Sequence, residues 1–327
     1  MLLTLATVLL TALPTARTDT TFSVRQGDRL NVSNFGGEIV VTSWSKNAVK
    51  IAAEHSGRAQ VDVTANGPNL DVRASARRGI PVRVDYDIVV PAWMPLFLKG
   101  IYTDISVKGM KSEVSAETVQ GEIRIDGGEG FVRASSVEGP VFIDGARGRV
   151  ELSTVNDNVH VTGSKGQIIV NAINGDIDLE GIESSLVEAS TVSGNVMFLG
   201  DLHRDGRYNL STHNGNLTLG MAEGANATVS VSTFNGDFDS AFPVRIERTR
   251  HGKRFNFTMG SGSALVNLES FDGTIRLERP VELKELVRRK GVRVHEAEKL
   301  RELRQVKLRE LRRVRELSDE DKPRDRK

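Results

Sequence analysis

Cysteine is absent from all 327 residues. Without it the chain can form no disulfide, no zinc–thiolate site and no cysteine nucleophile, and it offers no cysteine for lipid attachment. Aromatic residues make up only 5% of the chain, whereas glycine occurs 31 times. Few aromatics and many glycines are typical of an all-β or repeat protein with many turns, and less typical of a helical enzyme.

Neither sign of charge dominates, since 44 Lys and Arg stand against 43 Asp and Glu. The balance differs along the chain, because residues 281–327 hold 17 basic and 11 acidic side chains. A mildly acidic body therefore precedes a basic C-terminal segment. Nucleic acid is not expected as a partner, because the basic side chains lack aromatic neighbours on which bases could stack.

The apolar run from Leu2 to Leu13 is shorter than the roughly twenty residues that a membrane-spanning helix needs. Residues 1–16 carry no charge and fit the apolar part of a secretory signal, with cleavage near Pro14-Thr15-Ala16. The missing basic residue and Pro14 depart from the usual pattern, so an apolar N-terminal strand or cap is the alternative. We predict a signal peptide and an exported protein, in the periplasm, at the cell surface or outside the cell.

A repeat of about eighteen residues dominates the sequence. Its template has two apolar residues separated by one residue, then two polar or small residues and a further apolar residue. A turn residue follows two positions later, and after one more residue come two further apolar residues, again separated by one residue. We call the turn residue the anchor. The anchors are Gly37, Gly121, Gly139, Asp157, Gly175, Gly194, Gly215, Gly236 and Gly273, and Thr103 stands one period before Gly121.

The constant period predicts the fold. Each apolar pair alternates as in a strand with one buried face, but one unit is too small to bury that face alone. Stacking the units in register predicts an all-β, single-stranded parallel β-helix or solenoid with coils of about 18–21 residues, right-handed as parallel crossovers are. All five apolar positions of the template are expected to fill its interior, and glycine at the anchor to allow positive φ or close backbone approach.

Outside the regular repeat the pattern changes. Residues 22–95 are predicted to form irregular N-terminal coils or an antiparallel cap, and 96–279 the regular solenoid, interrupted by a hairpin or loop at 241–262. Residues 281–317 predict a basic amphipathic helical tail, and 318–327 a disordered end. The tail either contacts anionic lipid or a partner helix, or covers the last coil. The side chains that would contact the lipid or the partner are Arg301, Arg304, Lys307, Arg312, Arg313 and Arg315.

Polar columns and acidic pairs are the candidates for chemistry. Asn and Asp beside the anchors form either a calcium or sugar-binding strip or turn-stabilising amide ladders, and we favour the ladders. Asp126 and Asp144 stand one coil apart, which suits an acid/base pair or an exposed acidic edge. His160 and His213 are expected at surface or core-edge positions. No catalytic residue, metal site or cofactor is predicted.

The recurring N-G-D-I-x-L and T-V-x-G-x-V pieces, as at 174–179 and 191–196, resemble those of a bacterial adhesin-like domain of unknown function. The resemblance covers residues 24–278 and implies a β-helical envelope protein without catalytic residues. We expect a non-enzymatic envelope solenoid whose polar face binds an envelope protein, a glycan or an anionic membrane. The alternatives are a polysaccharide-active lyase or hydrolase, and an envelope-stress sensor that contacts the membrane through its tail.

Overall fold

The computed structural model describes residues 15–56, 59–76, 82–244 and 253–280. Their regular elements are strands: β1 (Thr15–Ser23), β2 (Arg29–Trp44), β3 (Ala48–Ser56), β4 (Ala59–Asn66), β5 (Asn69–Ala76), β6 (Val84–Pro91), β7 (Leu96–Met110), β8 (Val114–Gln120), β9 (Ile123–Gly127), β10 (Glu129–Glu138), β11 (Val141–Asp144), β12 (Arg147–Thr154), β13 (Val159–Thr162), β14 (Lys165–Ala172), β15 (Ile177–Ser193), β16 (Val196–Asn214), β17 (Leu217–Gly220), β18 (Ala227–Thr233), β19 (Phe238–Ser240), β20 (Lys253–Met259), β21 (Ala264–Asp272) and β22 (Ile275–Glu278).

Parallel pairing between strands one period apart builds the regular coils. Along the strands before the anchors, Val114 of β8 pairs with Val132 of β10, and Val132 pairs with Val150 of β12. The strands after the anchors stack in the same way, as Ile123, Val141 and Val159 show. An all-β, parallel-rich fold is thereby confirmed. Right-handed winding stays a prediction, and the predicted helical tail and disordered end lie outside the described residues.

The end coils do not stack in chain order, which the sequence did not predict. β2 lies between β7 and the pair β5 and β6. At the other end β21 pairs with β16 on one side and with β18 on the other, so the Gly273 coil lies between the coils of Gly215 and Gly236. Each outer coil is therefore held by a neighbour that is distant in sequence.

Antiparallel strands cover both ends of the stack. At the N-terminal end β4 pairs with β5, and β3 pairs with β1 and β6. At the other end β20 pairs with β18. β1 begins at Thr15, inside the segment predicted as a signal peptide, and residues 1–14 lie outside the described part of the chain. These strands shield the coil edges, where unpaired backbone groups would otherwise invite further strands.

The interior contains fewer apolar positions per coil than the template suggested. In the coil of Gly121, Val114, Ala116, Ile123 and Ile125 are fully buried, whereas Val119 is 47% exposed. The expectation that all five apolar positions face inward is wrong for this fifth position. Successive side chains of a strand point to opposite faces. Residues 114, 116 and 118 therefore face inward, and 119, which follows 118 directly, faces outward.

A bulge explains why the coil between Gly194 and Gly215 is longer than the regular coils. The register between β15 and β16 jumps from Ser184↔Leu202 to Leu186↔Arg207, which leaves residues 203–206 outside the ladder. Tyr208 is fully buried beside them, and its hydroxyl donates to the Ser184 carbonyl oxygen at 2.6 Å and accepts from the His203 N–H at 2.6 Å. The inserted residues are thus fixed to the neighbouring coil.

Candidate binding face

The anchors mark a corner at which successive coils come closest. A Cβ on Gly139 would overlap the carbonyl oxygen of Gly121, and a Cβ on Gly175 that of Asp157. The other glycine anchors of the regular coils make the same approach to the coil beside them. Glycine is therefore needed at this corner for space, and at Gly139 also for its φ of +137°. Asp157 is an exception, the one anchor after Thr103 that is not glycine.

A column of hydroxyls lies inside this corner, three residues before each anchor (position −3). Its buried members are Thr118, Ser136, Thr154, Thr191, Thr212, Thr233 and Ser270. Several donate to the anchor carbonyl of the neighbouring coil: Thr118 to Thr103 at 2.9 Å, Thr191 to Gly175 at 3.0 Å and Thr212 to Gly194 at 2.8 Å. Each bond joins two coils and satisfies a carbonyl at the corner, buried at Thr103 and Gly175 and partly buried at Gly194. The Thr154 hydroxyl has no hydrogen-bond partner among the described residues.

The polar column after the anchor also joins coils. The side-chain oxygens of Asn158, Asp176 and Asn195 accept from the backbone N–H of Asp176, Asn195 and Asn216, at 2.8, 2.7 and 3.0 Å. These oxygens are therefore engaged in turn chemistry of the kind that the amide-ladder interpretation requires. Among the described residues, no cluster of three or more His, Asp or Glu has the arrangement of a metal site.

Next to the hydroxyl column, at position −2, an apolar stripe runs along the outside of the stack. We call it the ridge, and in spatial order it comprises Phe35, Ile101, Val119, Val137, Val155, Ile173, Val192, His213, Phe271 and Phe234. Seven of the nine exposed large hydrophobic side chains in the described part of the chain belong to it. Their exposures lie between 40% and 54%. Ten coils at about 4.8 Å give the ridge a length of about 45 Å.

Aromatic rings stack at one end of the ridge. The imidazole of His213 lies 4.7 Å from the ring of Phe271, which lies 5.0 Å from that of Phe234, with nearly parallel planes in both pairs. These three rings and Val192 border an open groove of about 580 Å³. Serine and threonine line it, and Arg254 and Glu269 contribute the charges. His213, expected at a surface or core-edge position, is thus exposed and stacked on Phe271.

The middle of the ridge carries no charged side chain. Beside it run position −4, rich in serine, and position −1, rich in asparagine. Over the four coils anchored at 157, 175, 194 and 215, these three columns hold twelve outward positions and no Lys, Arg, Asp or Glu. The whole chain is 27% charged, so about three charges would be expected there. Neighbouring serines bond along the column, Ser153 to Ser135 at 2.8 Å and Ser211 to Ser190 at 3.1 Å.

Charged side chains lie farther from the corner on the same strands. The carboxylate of Glu151 accepts from Arg133 at 2.9 Å across the coils and from Arg149 at 2.6 Å on its own strand. The hydrogen bonds from Arg133 and Arg149 hold the pKa of Glu151 below its ordinary value. The boundary between charged and uncharged surface therefore lies within one strand length of the ridge.

The predicted acidic pair lies on the other outer face. Asp126 and Asp144 occupy equivalent, exposed positions on adjacent coils, and the column continues with Thr162 and Glu180. Neither aspartate lines the groove beside the ridge. His160 lies on this face with its ring stacked 5.0 Å from Phe142, and its Nδ1 lies 3.2 Å from the Asp178 carboxylate.

Comparison with known proteins identifies the fold family. The family model described as Toastrack DUF4097 matches residues 12–278, most of the chain. The chain belongs to the Toastrack DUF4097 family. The resemblance drawn from the repeats is confirmed. No curated protein shows a significant match to the chain.

Several solved structures resemble this Toastrack chain at low identity. A candidate adhesin from Parabacteroides merdae is 9% identical over 80% of this chain and 96% of its own, with a TM-score of 0.46. A candidate adhesin from Bacteroides fragilis is 14% identical over 80% of this chain and 97% of its own, with a TM-score of 0.42. A candidate lipid-binding protein from Parabacteroides distasonis is 10% identical over 81% of this chain and 97% of its own, with a TM-score of 0.40.

Two features expected at the ends of the Toastrack chain stay predictions. The tail side chains from Arg301 to Arg315 lie outside the described residues, and so does the apolar segment before Thr15. Within the described part of the chain, no helix has the length and apolar character required to cross a bilayer. In the described part of the chain, the candidate functional site is the ridge with its flanking columns, because it combines exposed apolar side chains with an uncharged surround.

Proposed function

We propose that this Toastrack chain is an exported, non-enzymatic, adhesin-like protein of the cell envelope, and that the ridge with its serine and asparagine columns binds a macromolecular partner. The observation that carries the proposal is the exposed apolar ridge, whose middle lies in a surface free of Lys, Arg, Asp and Glu over four coils. Monomeric soluble proteins rarely leave long apolar patches in water, and loss of charge marks the centre of interaction surfaces. A regular, flat face suits contact with an extended partner.

The polysaccharide-active alternative has less support. Such an enzyme needs two carboxylates beside a substrate groove. Asp126 and Asp144 are neighbours, but the groove beside the ridge is formed by other side chains. We therefore propose a binding role for the ridge and assign no catalytic residue.

Binding of the purified full chain to isolated cell envelopes tests the proposal. We expect Ile173→Ser with Val192→Ser to weaken binding at least about tenfold, because the changes remove apolar surface from the middle of the ridge. Leu265→Ser is the matched control. Leu265 is 53% exposed on the same outer face, about 20 Å along the strand from Phe271, and its loss should leave binding unchanged. Equal binding by all three proteins would contradict the proposal.

Fractionation of cells tests the location. We expect processed protein outside the cytoplasm, in the periplasm, at the surface or in the medium. Replacing the six tail side chains from Arg301 to Arg315 by serine in the full chain shows whether the tail contributes to membrane association. Release from the membrane would support a tail contact with anionic lipid or a partner. Unprocessed protein in the cytoplasm would contradict export.

A further inference from the structure

The exposed area of the ridge is close to what a stable protein dimer requires. Eight of the ten side chains are exposed, and Phe35 and Val155 are partly buried. Together they present on the order of 700 Å² of mostly apolar surface, more than the largest patch on a typical monomer. With the flanking serine and asparagine columns the face exceeds the ~800 Å² per partner of a standard interface. The partner must therefore cover nearly the full length of the ridge.

The spacing of the ridge restricts the kind of partner. Its side chains repeat at the coil spacing of about 4.8 Å. An α-helix repeats every ~5.4 Å, and residues on one face of a strand repeat every ~6.6 Å, so neither stays in step over ten coils. Another solenoid of the same coil spacing does stay in step, and a second copy of this chain carries the same ridge.

The charges at the two ends favour one orientation of such a pair. In the column at position −4, Lys99 and Glu117, whose side chains pair at 3.2 Å, lie near one end of the ridge, and Glu269 lies near the other. The positions between Glu117 and Glu269 hold the uncharged Ser135, Ser153, Asn171, Ser190 and Ser211. A two-fold axis across the middle of the ridge places this column against itself in the reverse direction. Lys99 then faces Glu269 of the second copy, twice over, which is a complementary arrangement.

We propose that two copies of this chain associate antiparallel through the ridge, with Val155 and Ile173 near the two-fold axis. This inference rests on the proposed function, since it names the partner of the same face. Such a contact is isologous, so each substitution in the ridge acts twice. It would allow copies on the same or on neighbouring envelopes to hold one another.

Sedimentation equilibrium of the full chain at micromolar concentration tests the association. We expect a dimer. Ile173→Ser with Val192→Ser should raise the dissociation constant of the dimer at least about 100-fold, because four apolar side chains are lost per dimer. Leu265→Ser should sediment like the unaltered chain. Both ridge side chains are nearly half exposed, so the double variant should keep its fold, which its circular dichroism and thermal midpoint verify.

Single cysteines test the orientation, because the chain has none of its own. Ile173→Cys, next to the axis, should be joined between copies by a short bismaleimide cross-linker, because sheets packed face to face lie about 10 Å apart. Ile101→Cys should not, because the two Ile101 positions would be more than about 30 Å apart. Cross-links from both variants would overturn the antiparallel arrangement.

Three outcomes would overturn the association itself. One is a monomer that binds envelopes prepared from cells lacking this protein, with binding lost in the ridge variant. The proposed function then survives and the partner is another molecule. A second is a monomer in which the Ile173→Cys thiol is unreactive, which means that another segment of the chain occupies the ridge. A third is a dimer that the ridge variant does not weaken.

Discussion

A difference of one residue position separates the side chains that join the coils from those that face outward. Thr191 is buried and donates to the Gly175 carbonyl, whereas the next residue, Val192, is 47% exposed. The same pair of roles recurs along the ridge, because the strand before each anchor alternates strictly. The contact between neighbouring coils thus depends on a hydroxyl at position −3, an inward position where an apolar side chain would be expected.

Removing a hydroxyl from position −3 should change the stability of the protein differently at two sites. Thr212→Val should lower the free energy of unfolding by about 1 kcal/mol, because the partly buried Gly194 carbonyl loses its 2.8 Å hydrogen bond. Thr154→Val should be neutral or stabilising, because the Thr154 hydroxyl is buried without a partner among the described residues. Urea denaturation of both variants measures the difference. A loss of equal size at both sites would contradict the role given to the hydroxyl column.

Single elements differ from the ideal coil where residues are inserted or exchanged. Asp157 replaces glycine at one anchor, and the bulge at 203–206 is fixed by Tyr208 against the neighbouring coil. Burial raises the pKa of Tyr208, although the hydrogen bond from the His203 N–H opposes the shift. The bulge is thus held by a buried phenol that hydrogen-bonds to Ser184 in the neighbouring coil and to His203 within the insertion.

Tyr208→Phe should lower the free energy of unfolding at neutral pH by about 1–2 kcal/mol, since both hydrogen bonds of the hydroxyl are lost. The pKa of Tyr208 is raised in the folded protein, so its contribution is complete below the unfolded pKa of about 10 and is lost as pH rises above it. The destabilisation caused by Tyr208→Phe should therefore shrink above about pH 10. Thermal unfolding from neutral to alkaline pH checks this, and a constant difference would contradict it.

Across the whole molecule the stacking order differs from the chain order at both ends. The regular spacing of Gly121, Gly139 and Gly175 was enough to predict which strands pair in the regular part. Gly37 and Gly273 fit the same template, but a period cannot say which coil lies beside which, because that depends on contacts distant in sequence. The ridge was missed because its apolar residues were assigned to the core. Strict alternation from Val132 through Ala134 to Ser136 would have placed Val137 outside.

Hydrogen exchange tests this stacking order. The amides of β21 should exchange more slowly than those of β20, because β21 lies between β16 and β18, whereas β20 pairs with β18 alone among the described strands. Under simple chain-order stacking β21 would follow β20, lie nearer the end and exchange faster. Mass spectrometry of peptides from 253–259 and 264–272 distinguishes the two.

The central claim is that position −2 forms an outward apolar ridge and position −3 an inward hydroxyl column. Thiol labelling of Thr191→Cys and Val192→Cys, at dilutions where copies do not associate, tests it most directly. We predict that the thiol at 192 reacts nearly as fast as in unfolded protein, and the thiol at 191 at least about 1,000-fold more slowly. A protected thiol at 192 beside a reactive one at 191 would show that the ridge faces inward and would contradict the account.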